Sequence, residues 1–205
     1  MNVERETAIF NRWAGSYDRS PWQLFLFGPT HREVLEAAGV GPDPATVLDV
    51  GCGTALLLER AAGRWPGATL VGIDLSPEMI AQAQRKHAGD PRFTFEVGDA
   101  KSLAVEASSI DLAVSTISFH HWDDQPGGVR EVARVLRPGG LFILADARPP
   151  RLLEPLQSRL HGSRSRERLF QQAGLTVVGE RRPLRLARSV LITVGRKDAH
   201  DQTAR

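Results

Sequence analysis

The chain has 205 residues, 41% hydrophobic and 24% charged, the balance expected of one globular domain with a well-buried core. It has no run of about 18 apolar residues, so no membrane-spanning helix is expected. A single cysteine, Cys52, leaves no internal disulfide to form. The start, "MNVERETAIF", has acids where a signal peptide carries a basic and then an apolar stretch, and the expected location is the cytoplasm. The net charge of +2 conceals an asymmetry: residues 1–147 carry 13 Lys/Arg against 19 Asp/Glu, and residues 148–197 carry 12 against 3. Such a basic segment suits an anionic substrate, a lipid surface, nucleic acid or simply a solvated arginine-rich face.

In chain order, residues 4–14 have helical character. "THREVLEAAG" (30–39) is expected to be a helix opened by a capping box of Thr30 and Glu33. "ATVLDV" (45–50) is a short β-branched strand that ends at two glycines, and "ALLLERAAGRW" after it is helical. "ATLVGIDL" (68–75) is the next strand. "SPEMIAQAQRKH" (76–87) is a helix with Ser76 as N-cap and Pro77 at its first position. "FTFEV" (93–97), "SIDLAVST" (109–116) and "GLFILAD" (140–146) are further strands; a helix (128–136) and the turn "RPGG" precede the last. "ARPPRLLEPLQSRLHGSRS" (147–165) lacks periodicity and reads as a connection. A helix at 166–174 closes on Gly174, and "LTVVGE" and "RSVLITVG" (188–195) form an antiparallel pair at one edge. Strand–helix alternation predicts a doubly wound, mostly parallel sheet with helices on both faces and a ligand site at the carboxyl ends of the strands.

"VLDVGCGTA" (47–55) carries the chemistry. A phosphate-binding loop needs a lysine after its glycines, and "GCGTALLL" has none. A dinucleotide fingerprint fits at Gly51 and Gly53, but Leu56 stands where its last glycine belongs, and Asp49 would repel a pyrophosphate. S-adenosylmethionine suits the loop better. It has no phosphate, its ammonium and sulfonium favour a carboxylate, and glycines let backbone approach closely.

"DVGCGTA" resembles the first motif of the class I S-adenosylmethionine-dependent methyltransferases, with Ala55 in place of the usual third glycine. The nearest likeness is the small-molecule branch that includes the ubiquinone/menaquinone type. "GIDLSPEMI" resembles the second motif, "VGDA" (97–100) the third, "IDLAVSTISFHHW" (110–122) the fourth and "VLRPGGLFIL" (135–144) the turn and strand after it. "FNRWAGSYD" (10–18) looks like the segment that closes over the cofactor. The resemblance implies a Rossmann-like α/β fold, with a seven-stranded sheet whose C-terminal edge strand is antiparallel. It implies one domain over 1–205, with residues 1–30 as a lid and 147–165 as a short substrate-side insert. It also implies a cofactor site of Tyr17, Asp49, Gly51, Cys52, Gly53, Asp74, Leu75, Met79, Asp99, Ala100, Ser115 and Thr116. Within it Asp74 holds both ribose hydroxyls, Asp99 the adenine amino group and the Ala100 N–H the ring. S-adenosyl-L-methionine is the expected cofactor and S-adenosyl-L-homocysteine the product.

Methyl transfer from a sulfonium needs alignment and exclusion of water, and a base only where the acceptor must lose a proton. His120 and His121 in "SFHHWDD" are the candidates, one of them facing the site and oriented by Asp123 or Asp124. No metal-ligand cluster is visible. The expected partner is a small-molecule acceptor, anionic if the basic C-terminal quarter serves it. The alternatives are an RNA methyltransferase and a non-catalytic protein that binds S-adenosylmethionine. The fourth motif lacks the "NPPY" form of enzymes that act on base amines, which argues against nucleic acid.

Overall fold

The computed structural model describes residues 11–12, 14–39, 41–147, 163–182 and 190–198. Seven strands form one sheet: β1 (Thr46–Val50), β2 (Thr69–Asp74), β3 (Phe93–Val97), β4 (Ile110–Thr116), β5 (Leu136–Ala147), β6 (Leu175–Arg181) and β7 (Val190–Lys197). Their order is β3-β2-β1-β4-β5-β7-β6. β3, β2, β1, β4 and β5 pair in parallel, and β7 pairs antiparallel with both β5 and β6. The antiparallel pair expected at one edge is β6 and β7. Within it β6 is outermost, and the C-terminal strand slots between β5 and β6.

Among the described residues, helices that pack on the sheet include α1 (Gly28–Ala38), α2 (Leu56–Arg64), α3 (Pro77–Lys86), α4 (Gln125–Val135) and α5 (Ser163–Gln172). Side chains alternate across the strands, so each face of the sheet buries its own layer. Val47, Leu112, Val114 and Ile143 pack with Val34 of α1, Leu57 and Leu58 of α2 and Ile80 of α3. Leu48, Val50, Phe142 and Leu144 pack on the other face with Val129 and Val132 of α4 and Leu169 and Phe170 of α5. Direction reverses between β1, whose chain leads to β2 on one side, and β4 on the other, which opens a crevice at their carboxyl ends.

Three local expectations meet the structure differently. Ser76 caps α3 as read, its Oγ accepting from Met79 N at 3.2 Å. Thr30 does not cap α1. A π-helical turn (Gln23–Phe27) runs straight into that helix, so the donors near residue 30 are already satisfied, and Thr30 Oγ1 donates back to Leu26 O at 2.7 Å. The "RPGG" turn is absorbed into β5, which starts at Leu136 and pairs with β4 through a register shift, with Gly139 at φ +81°. Of the helix expected over 4–14, residues 1–10 and Trp13 lie outside the described residues, as do most of the 147–165 connection and residues 183–189.

Candidate active site

The crevice holds a cavity built from five loop segments at the carboxyl ends of the strands. It is lined by Val50, Gly51 and Gly53 after β1, Ile73 to Ser76 after β2, Gly98 to Ala100 after β3, Thr116 to Ser118 after β4, and His121 to Asp123, with Tyr17 and Met79 closing it.

The glycine loop owes its path to its residues. Gly51 has φ +80°, and a Cβ there would lie 2.5 Å from Ser118 Cβ. Ser118 cannot move aside easily, because its hydroxyl donates to Val50 O at 3.1 Å and meets Ser115 Oγ at 2.8 Å. Gly53 has φ +53° and faces the Tyr17 ring. Ala55, where the family motif has a glycine, also sits at φ +71°, a conformation that costs an alanine about 1–2 kcal/mol. Ile117, on the opposite wall, has φ +52°. A β-branched residue rarely adopts this angle, and such strain concentrates at functional sites.

Asp74 ties the wall together. Its Oδ2 accepts from Gly53 N at 2.8 Å and its Oδ1 from Ser76 N at 2.8 Å. Each carboxylate oxygen has two lone pairs, so both keep capacity for a ligand hydroxyl. Burial raises the pKa of Asp74, opposed by those backbone donors. Asp99 accepts from Lys101 N at 3.1 Å and pairs with Lys101 Nζ at 3.2 Å. Asp49 does not line the cavity. It lies beneath the glycine loop, 1% exposed, and its Oδ1 has no hydrogen-bond partner among the described residues. Burial, and then the nearby Asp74 charge, push its pKa up to about 8. The wall carries no lysine or arginine among the described residues.

Of the remaining sequence-expected residues, Tyr17, Gly51, Gly53, Leu75, Met79, Ala100 and Thr116 reach the wall. Cys52 and Ser115 do not. The Cys52 side chain is buried, its Sγ donating to Gly53 O at 3.6 Å, and burial raises its thiol pKa. Ser115 is fully buried and supports the wall through Ser118. His121 lines the cavity and His120 does not, although their ring centroids lie 3.9 Å apart. The two rings do not diverge, because they lie on a 3₁₀ turn (Phe119–His121) rather than a strand.

The acid expected to orient a histidine is also placed differently. Asp124 is the N-cap of α4, accepting from Gly127 N at 2.9 Å, and Asp123 approaches Lys101 Nζ at 4.0 Å. Asp146 at the end of β5 meets His120 instead. Sequence reasoning did not include Ser76, Ser118 or Trp122 among the site residues. The Trp122 ring is on the wall and packs against Gly128, where a Cβ would lie 2.6 Å from Cζ3.

The N-terminal segment is fastened over the loop. Tyr17 packs on Phe27 with ring centroids 5.4 Å apart. Thr54 Oγ1 donates to Asp18 Oδ1, and Lys86 Nζ pairs with Asp18 at 3.0 Å and with Glu59 at 2.6 Å. Asn11 Oδ1 accepts from Ser76 Oγ at 2.6 Å.

Residues 48–144 match the methyltransferase domain family. Over 146 residues the chain is 35% identical to nocamycin O-methyltransferase of Saccharothrix syringae, covering 69% of this chain and 51% of that protein. It is 33% identical to the malonyl-[acyl-carrier protein] O-methyltransferase of Pectobacterium atrosepticum, covering 82% and 64% respectively. It is 34% identical to the demethylmenaquinone methyltransferase of Deinococcus radiodurans, covering 58% and 50%. The chain thus spans between half and two thirds of the length of these relatives. A crystal structure of an S-adenosylmethionine-dependent methyltransferase from Aquifex aeolicus shares the fold, with a TM-score of 0.74 at 19% identity over 91% of this chain and 97% of that one.

Proposed function

We propose that this chain, whose residues 48–144 match the methyltransferase domain family, is a class I S-adenosylmethionine-dependent methyltransferase, that its crevice binds S-adenosylmethionine and that it methylates a small molecule. The observation that carries this reading is the charge of the cavity. Asp74, Asp99 and Asp123 stand on the wall; Lys101 pairs with Asp99 at 3.2 Å and approaches Asp123 at 4.0 Å, whereas Asp74 is met by backbone donors, and Asp49, whose Oδ1 has no hydrogen-bond partner among the described residues, lies beneath it. Such a site suits a cation and opposes a phosphate. The cradle at Gly51, which a Cβ would fill, suits a ligand that lies against backbone.

In this reading Asp74 accepts both ribose hydroxyls with the lone pairs its backbone bonds leave open. Asp99 accepts from the adenine amino group, and the Ala100 N–H donates to the ring. Leu75 and Met79 supply apolar wall. Asp49, drawn into its ionised form by a nearby cation, balances the ammonium and sulfonium through the loop. The Gly51–Gly53 backbone, including that of Cys52, lies along the methionine moiety, and Ser115 and Thr116 support it from β4. Tyr17 and Asp18, in the described part of residues 1–30, act as a lid that excludes water; most of the 147–165 connection, expected to border the acceptor, lies outside the described residues. When bound, the cofactor supplies a methyl group on an activated sulfonium, so the protein contributes mainly alignment. His120 and His121 stand at the acceptor end.

Relatives named as nocamycin, malonyl-[acyl-carrier protein] and demethylmenaquinone methyltransferases support a small-molecule acceptor group. The anionic acceptor suggested by the basic C-terminal quarter gains nothing from the acidic wall. Of that quarter's arginines, those in 148–162 and 183–189 lie outside the described residues. No helix among the described residues is long and apolar enough to cross a membrane. The test is acceptor-dependent formation of S-adenosylhomocysteine from S-adenosylmethionine across a panel of small acceptors. Product in the wild type and its loss in Asp74→Ala support the reading. Binding of the cofactor without turnover of any acceptor would favour a non-catalytic binding protein.

A further inference from the structure

Residues 19–32 read RSPWQLFLFGPTHR, with an arginine at each end and no acid between. The π-helical turn (Gln23–Phe27) lies at the centre of this segment and depends on Gly28, whose N–H donates to Gln23 O. A Cβ at Gly28 would lie 2.7 Å from that oxygen. Single π-helical turns are frequent at functional sites. This one splits its apolar side chains between two sides. Leu26 packs against the core layer beneath α1, and Phe27 is buried against Tyr17. Trp22, Leu24 and Phe25 face away, 58%, 75% and 52% exposed. Half of the six large hydrophobic side chains exposed among the described residues thus crowd into four consecutive positions. Scattered exposed apolar residues need no explanation, whereas a contiguous group marks an interaction surface.

Charge selects the partner. Arg19 and Arg32 are both exposed, and Arg32 follows Phe25 by roughly two helical turns, which brings it back to the same side. The flanking acids do not offset them: Asp18 is tied to Lys86 and Thr54, and Glu33 is half-buried. We propose that residues 19–32 dock the protein on an anionic lipid surface. Trp22, Leu24 and Phe25 enter the boundary between headgroups and acyl chains, where aromatic rings are favoured. Arg19 and Arg32 meet the lipid phosphates. Side chains that stand more than half exposed suit a soft partner that deforms around them, which favours lipid over the fitted pocket of a folded protein. A shallow apolar insertion is marginal by itself, and a basic patch beside it supplies the second attraction that stable binding needs. Acids farther away than about 8 Å are largely screened at physiological salt, so the acidic balance of residues 1–147 does not oppose docking. Tyr17, which closes the crevice, has its carbonyl held by Gln23 Nε2 at 3.3 Å and lies next to the docked turn.

The test uses the full chain with vesicles of phosphatidylcholine, alone or mixed equally with phosphatidylglycerol. The wild type should co-sediment with the mixed vesicles and bind the neutral ones about 10-fold more weakly or worse. Leu24→Ser with Phe25→Ser, and separately Arg19→Gln with Arg32→Gln, should each weaken binding to the mixed vesicles by about 10-fold or more. All four positions are exposed, so the urea midpoint should hold in both variants; the arginine pair carries the test if the serine pair does not fold. Fluorescence should shift to the blue on binding, and Trp22→Phe should remove most of that shift although three other tryptophans of the four remain. No binding of the mixed vesicles by the wild type, equal binding of neutral vesicles, full binding by a folded double variant, or an undiminished shift in Trp22→Phe overturns the proposal. A wild-type dimer that the serine pair dissociates also overturns it and gives the face to a second copy. Binding to polyglutamate as tight as to the mixed vesicles overturns it in favour of an acidic protein.

Discussion

Replacing Gly51 by alanine tests the geometry of the glycine loop at its tightest point. Two costs add. The residue sits at φ +80°, which costs an L-residue about 1–2 kcal/mol. The new Cβ would lie 2.5 Å from Ser118 Cβ, and overpacking of this kind costs about 1–3 kcal/mol. Ser118 is pinned by Val50 O and Ser115, so the strain cannot escape by a simple rotamer change. The sum, about 2–5 kcal/mol, is read from urea unfolding at constant m. Ser118→Gly removes the clash and leaves the dihedral. The double variant should therefore recover about 1–3 kcal/mol relative to additivity. A Gly51→Ala loss below about 0.5 kcal/mol, within the range of an ordinary surface change, would refute the crossing of Ser118 over the loop.

Asp49 makes stability depend on pH. Its folded pKa, pushed up to about 8, lies above the ordinary value near 4. Its contribution without ligand is therefore fully present below pH ~4 and lost as pH rises through about 8. Thermal melts should show this decline and Asp49→Asn should flatten it; S-adenosylmethionine affinity should rise over the same window in the wild type only. Asp18→Ala removes a half-exposed ion pair and a hydrogen bond worth together about 0.5–1.5 kcal/mol. It should weaken S-adenosylhomocysteine roughly 2- to 10-fold by calorimetry and raise amide exchange over residues 14–20; unchanged affinity and exchange would remove the lid role. Ala55→Gly should leave stability within about 1 kcal/mol in urea, because relief at φ +71° is offset by backbone entropy and a lost buried methyl.

Much of this site was legible from residue order because its parts are local. The β-branched runs ending in Gly51, Asp74 and Asp99 place those residues at strand ends by periodicity alone, and Ser-Pro announces α3 through its cap. What sequence could not supply depends on elements that meet only in the fold. Asp146 is 26 residues from His120 and reaches it because β4 and β5 are neighbours, whereas Asp123 and Asp124 are near in sequence but are drawn toward Lys101 and the start of α4. Ser118 matters because the chain after β4 folds back over the loop after β1. Thr30 misled because its cap pattern is real, but the preceding π-helical turn had already satisfied the donors a cap would serve. Asp18, Thr54 and Lys86 come from three elements and share no local pattern.

The central claim, that the acid-lined crevice is a site for S-adenosylmethionine, is tested most directly by calorimetry of S-adenosylhomocysteine against the wild type and Asp74→Ala. The account predicts one site per chain, no competition from NAD, and affinity weaker by roughly 10- to 100-fold in the variant, the equivalent of about 1–3 kcal/mol of hydrogen bonding to two hydroxyls. Equal affinity in the two proteins, or displacement by NAD, would contradict it.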